Sequence, residues 1–226
     1  MSIATSNLTV LDHIIILVAS LTDFEKDFTG RHGVELTKGG AHPHLGTANL
    51  LADLGNGAYL EVLGPNPAVV PPTGLGEMLA QRTAPQVASF ALQTRHMDAV
   101  KTSAEAGGLE FLGPSAGSRR TSDGQLLQWH GAYIRGHRFG DFVPFFIDWG
   151  ETRHPSETSV SGLELVEFTV MHPDADALAK VYQAIAADIQ VVSGDEPGFK
   201  LRIRTPRGEF SLESYPDEPL FSAVPP

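Results

Sequence analysis

Residues 9–18 read Thr-Val-Leu-Asp-His-Ile-Ile-Ile-Leu-Val, an apolar, β-branched run that predicts a strand buried on both faces. Ser20 or Thr22 can cap a short helix with Asp23 and Glu25 in its first turn, and Gly30 and Gly33 are its stops. A strand is expected over 34–37, followed by the loop Gly39-Gly40-Ala41-His42-Pro43-His44-Leu45-Gly46. Strands over 47–54 and 58–63 flank the turn Gly55-Asn56-Gly57. A Pro-rich connector at 64–72 and a short helix over 75–82 come next.

The same order then returns. A strand over 87–94, a helix over 97–106 and a strand over 109–112 precede the loop 113–124, and strands over 126–134 and 143–149 follow it. A third pass has a strand over 163–170, a helix that Asp174 or Asp176 opens and that runs to 187, and strands over 189–193, 199–204 and 209–214. The chain thus reads as three βαβββ units of roughly 55 residues, a repeat of pattern rather than of letters. The expected fold class is α+β, with repeated βαβββ units forming an open, mostly antiparallel, barrel-like sheet with helices outside. Residues 9–150 form one domain of two units (9–65 and 87–150), 162–215 a third unit, and 216–226 an irregular tail.

Composition narrows the function classes. Hydrophobic residues are 42% and charged residues 19%, the balance of a folded globular chain. The net charge of −11 opposes a nucleic-acid surface, which needs clustered Lys and Arg, and Arg119-Arg120 is the only compact basic pair. With no cysteine, disulfides, thiolate metal sites and Cys nucleophiles are excluded. Residues 1–7 lack the basic and apolar regions of a secretory signal, and no apolar stretch approaches the roughly 20 residues of a membrane span. A cytoplasmic protein with a small-molecule partner is expected, without nucleic-acid or membrane partners.

Two ionisable residues stand inside apolar strands. His13 lies among Leu11, Ile15 and Leu17 on one face and Ile14 and Ile16 on the other. Glu61 shares a face with Tyr59 and Leu63, opposite Leu60 and Val62. Such residues need a metal, a cation or hydrogen-bond donors, and a structural hydrogen-bonded role is the alternative for each. His42 and His44 flank Pro43 on one face of an extended segment, while Asn49 and Asp53 share a parity on the third strand. In the second unit Trp129 and His130 alternate on one strand, and Phe145, Phe146, Asp148 and Trp149 crowd another. The aromatics are most simply core, although some can wall a pocket.

The βαβββ pattern used twice, with Leu11-Asp12-His13 on the first strand and Tyr59-Leu60-Glu61 on the fourth, resembles the vicinal oxygen chelate superfamily. Together with residues 39–49 and Pro144-Phe145-Phe146-Ile147-Asp148-Trp149, it is most similar to the glyoxalase-like branch. The resemblance implies one divalent metal (Fe, Mn, Zn or Ni) with His13 and Glu61 as ligands and His42 as third ligand or acid/base group. Glu61 and His42 are then the catalytic candidates, and Asn49, Trp129, His130, Phe146 and Asp148 the substrate-binding candidates. Its implied chemistry is that of a lyase, isomerase or dioxygenase acting on neighbouring oxygens. The alternative is a metal-free sequestering protein of the bleomycin-resistance type.

The second unit departs from the pattern, since 87–93 offers no His or Glu. A rival set aligns Glu167 and Glu213 of the third unit with His13 and Glu61, but parity places Glu213 opposite the apolar Phe210 and Leu212. An odd unit also leaves one sheet unpaired, so a homodimer that covers it is expected.

Overall fold

The computed structural model describes residues 8–121 and 124–216. The segment read for a signal (1–7) and all of the expected tail except Pro216 lie outside the described residues. The first unit comprises β1 (Val10–Leu17), α1 (Leu21–His32), β2 (Thr37–His42), β3 (Thr47–Gly55) and β4 (Ala58–Pro65). Ser20 caps α1 by accepting from Asp23 N, and Gly33, at φ 76°, closes it in the left-handed conformation that favours glycine. Gly30, expected as a stop, lies inside the helix. The second strand starts later than expected and continues through Gly39-Gly40, where a register shift against β3 absorbs the two glycines.

The second unit is β5 (Gln86–Gln93), α3 (Met97–Ala106), β6 (Glu110–Arg120), β7 (Leu126–Arg135) and β8 (Phe145–Asp148), reached through the short helix α2 (Leu75–Leu79). Both units join one curled eight-stranded sheet in the order β2-β3-β4-β1-β5-β8-β7-β6. In each, the first strand pairs in parallel with the last, β1 with β4 and β5 with β8, and antiparallel β1 and β5 join the halves.

The third pass is β9 (Glu164–His172), α4 (Ala175–Ala184), β10 (Gln190–Ser193), β11 (Gly198–Thr205) and β12 (Gly208–Ser214). Its element order is that of the other units, but its pairing is not. The sheet runs β10-β9-β11-β12, so β9 neighbours β10 and β11 instead of the last strand. Glu213 therefore cannot stand beside Glu167 as Glu61 stands beside β1. Glu167 pairs with Lys200 and Arg202 at 3.2 and 3.5 Å, and neither glutamate reaches the His13 face.

The apolar face of this second sheet is covered within the chain. Phe168, Phe199, Leu201 and Ile203 share one core with Ile14, Ile16, Leu60, Val62 and Phe90 from the convex face of the large sheet. The unpaired sheet behind the homodimer expectation thus finds its cover inside the chain. Phe90, fully buried, stands with its ring centroid 5.1 Å from Phe168 and 6.3 Å from Phe199, joining the two sheets.

Phe90→Ala should cost about 3–5 kcal/mol of unfolding free energy. Urea unfolding followed by far-UV circular dichroism should keep a single transition, because both sheets lose the same core. A separate early transition of the small sheet would contradict the shared core.

Candidate functional site

The concave face of the large sheet carries the chemistry. Register places His13 beside Tyr59 and Ile15 beside Glu61, while Leu51 pairs with Glu61 from the other side. Alternation then lines this face with His13, Tyr59, Glu61 and Asn49 between two apolar clusters. One cluster is Ile15, Leu17, Leu63, Leu79 and Ala88, and the other holds Leu51, Tyr59, Leu127, Ile147 and Trp149.

A β-bulge sets the geometry. Leu11 pairs with Leu92 and His13 with Ala91, so Asp12 is an extra residue without a partner on β5. The bulge turns Leu11 to the convex core and leaves Asp12 on the same side as His13. Strict alternation from the sequence puts Leu11 on His13's face, and the bulge corrects it. Asp12 is wholly buried. Its Oδ1 accepts from His13 Nδ1 at 2.5 Å, and its Oδ2 accepts from Trp149 Nε1 at 2.8 Å and His154 Nε2 at 3.1 Å. The backbone N–H of Ser156 donates to His154 Nδ1, which leaves the His154 proton on Nε2, facing Asp12. Burial alone would raise the Asp12 carboxyl, but the hydrogen bonds from His13 and His154 outweigh it and hold the group below its ordinary value.

From His13 the polar chain continues. Nε2 faces Glu61 Oε2 at 3.4 Å, Asn49 Nδ2 donates to Glu61 Oε1 at 2.6 Å, and Gly40 N donates to Asn49 Oδ1 at 2.8 Å. Gly39 is required here, since a Cβ would stand 2.2 Å from Asn49 Oδ1. Tyr59 stacks on the His13 ring at 4.7 Å and Phe145 meets it edge-on at 5.5 Å. Burial, with Asp12 and Glu61 adding, keeps the Tyr59 phenol protonated.

The other sequence-derived residues divide by face. His42 bonds Thr47 Oγ1 at 3.1 Å and lines a cavity of about 870 Å³ that also reaches Asn49. Burial depresses its imidazole below 6.5, Glu61 opposes, and Arg119 and His44 add to the depression. His44 lies on the same cavity wall. Trp129 packs on Trp149 at 5.5 Å, over Gly117, where a Cβ would come within 2.5 Å of the indole. Phe146 points into the convex core, and His130 and Asp148 pair with each other on that same parity. These three are not brought to His13. Asp148 instead accepts from Gly150 N at 2.9 Å.

Sequence reasoning missed Asp12, His154 and Arg119. The first is invisible without the bulge. His154 arrives on a loop that docks on β3 through a hydrogen bond from Asp53 N to Val160 O. Arg119 gave only its basic character as a signal.

A divalent cation is the cofactor that the resemblance implies. His13 Nε2 and Glu61 Oε2 have the spacing of two adjacent ligands, and Asp12 behind Nδ1 is the partner that metal-bound histidines use. Ala91, Phe145 and Ile147 occupy the corresponding positions of the second unit, and among the described residues no three His, Asp or Glu side chains are placed so that they could hold one metal ion together. The donors fit a two-ligand site whose other positions fall to water or substrate oxygens. They do not fit a four-ligand cage, nor do they bring His42 in as a third ligand.

Asp12→Asn should cost about 1–3 kcal/mol at neutral pH, because a neutral amide cannot accept from all three donors. The folded carboxyl is depressed, so its stabilisation is whole above the unfolded value of 3.8 and is lost as pH falls from there through the folded value. Urea titrations across that range should show a shallower acid decline in the variant. Parallel declines would contradict this reading.

Comparison with known proteins matches the "Glyoxalase-like domain" family model over residues 11–186. A hypothetical protein from Staphylococcus aureus matches with a TM-score of 0.62 at 20% identity, covering 92% of this chain and 86% of that one. Methylmalonyl-CoA epimerase from Mycobacterium tuberculosis matches with a TM-score of 0.46 at 20% identity, over 66% of this chain and 93% of that one. A mutant of 4-hydroxymandelate synthase from Streptomyces coelicolor matches with a TM-score of 0.45 at 16% identity, over 93% and 64%. No curated protein matches in sequence. With the family model spanning most of its length, the chain belongs to the glyoxalase-like domain family of the vicinal oxygen chelate superfamily.

Proposed function

We propose that the chain is an enzyme acting on a small molecule with neighbouring oxygens, with a divalent metal (Fe, Mn, Zn or Ni) held by His13 and Glu61. The observation that carries this is the 3.4 Å approach of Nε2 and Oε2, with Nδ1 engaged by Asp12 and Oε1 by Asn49. Both free lone pairs therefore face one point. When bound, the ion supplies Lewis-acid stabilisation of charge that develops on a substrate oxygen.

The residues of the chain do the positioning. Asp12 fixes the His13 tautomer and the plane of its ring, and stacked Tyr59 keeps that ring from turning. Asn49 holds Glu61 through one oxygen and leaves the other facing the site. His42, kept neutral at pH 7 by burial, is able to take a proton from substrate entering the cavity. The apolar clusters on either side exclude water from this step. Lyase, isomerase and dioxygenase reactions all start from such an arrangement.

A metal-free binding protein is the second reading, and the apolar Ala91, Phe145 and Ile147 favour it. Metal analysis of chain purified without chelators separates the two. The enzyme reading expects about one ion per chain, lost in both His13→Ala and Glu61→Ala. Absence of metal from the unmodified chain would leave only the binding reading.

A further inference from the structure

Arg119 presents a buried charge that the proposed reaction does not use. It stands one residue before the end of β6 with only 9% of its surface exposed, and its Nη1 is buried without a hydrogen-bond partner among the described residues. A guanidinium so withdrawn from water is costly unless an acceptor meets it. No carboxylate forms an ion pair with it among the described residues. Its charge still acts on Tyr59 and His42, which places it at the junction of the concave site and the cavity.

The surroundings favour an anion. Lys38, His42, His44, Arg119 and Arg120 line the cavity, against Glu25 as the carboxylate on the described wall. In a chain of net charge −11, this basic wall runs against the general composition. Gly40 adds to the case. A Cβ there would lie 2.5 Å from Arg120 O and 3.1 Å from Arg119 Nη1, so its absence lets the edge strands β2 and β6 close around the guanidinium. Asn49, on the same cavity wall, connects this pocket to Glu61.

We propose that Arg119 is the binding residue for an anionic oxygen group of the substrate, a carboxylate or a phosphate, anchored in the β2/β6 cavity. The substrate is then a small acid that carries its charge at one end and its neighbouring oxygens at the other. Arg119 holds the charged end, and the reacting end passes Asn49 towards Glu61 and His13. The fork geometry of a guanidinium suits either group, with two parallel N–H donors to two oxygens. This inference rests on the reading that the His13 face is where substrate reacts, but the binding step itself does not need metal.

The test titrates the full chain with propionate, with inorganic phosphate and with neutral dihydroxyacetone by isothermal calorimetry. At least one anion should bind more tightly than dihydroxyacetone, and the better anion identifies the group. Arg119→Gln should weaken that anion by about ten- to a hundred-fold, the worth of a charge-assisted pair. Arg120→Gln, on the rim, should change it by less than about three-fold. His13→Ala should leave anion binding in place even where it removes metal, so the anchor and the metal reading fail independently. Should Arg119→Gln not fold, amide shifts in the unmodified chain serve instead. Addition of the anion should move Gly39, Gly40, Asn49 and Arg119. Equal affinity in Arg119→Gln, shifts confined to other regions, or no anion binding by the unmodified chain would each overturn the proposal.

Discussion

A single buried carboxylate organises this molecule. Asp12 is fully withdrawn from solvent, and an ionised group in that position needs its lone pairs filled. Three donors fill them: His13 beside it on β1 and, 137 and 142 residues further along the chain, Trp149 just past β8 and His154 on the loop that follows. Each donor is thereby fixed in turn. The same hydrogen bonds that hold Asp12 charged align the imidazole of His13 with Glu61 and hold His154 against Tyr59 and Trp149.

The site is thus asymmetric on a symmetric frame. Two units with the same pairing build the large sheet, yet only the first supplies polar groups at its centre. The second contributes walls: Phe145 against His13, Ile147 and Trp149 in the neighbouring cluster, and Trp129 over Gly117. The opposite edge of that unit supplies Arg119, where β6 meets β2. The concave face accordingly runs from a dry aromatic wall, through a pair of facing donors, to a basic cavity.

Much of this was legible in the sequence. The apolar runs around His13 and Glu61, the turn at Gly55-Asn56-Gly57 and the helix over 97–106 are local signals, and local physics decided them. The repeat of element order was equally plain, and for the first two units it carried the pairing as well. For the third it did not, because strand order depends on which edges meet and not on the order of elements. The extension of β6 through Gly113–Gly117, read as loop, has the same origin, since pairing with β7 overrode weak strand propensity.

The site was half legible for related reasons. His13 and Glu61 stood out because each is an ionisable residue inside an apolar strand, and alternation placed the neighbours of Glu61 correctly. It failed at Asp12, where one extra residue reverses the faces, and it separated Phe145 from Phe146 only once register was known. His154 and Arg119 came from chain segments whose position depends on tertiary docking.

The central claim is that Asp12 dictates the state of His13, with the proton on Nδ1 and Nε2 turned to Glu61. Long-range ¹H–¹⁵N correlation spectra of histidine-labelled chain read this directly. Nδ1 of His13 should be protonated in the native chain and should no longer be the fixed proton site in Asp12→Ala. A neutral His13 carrying its proton on Nε2 alone, with Nδ1 bare, would contradict it.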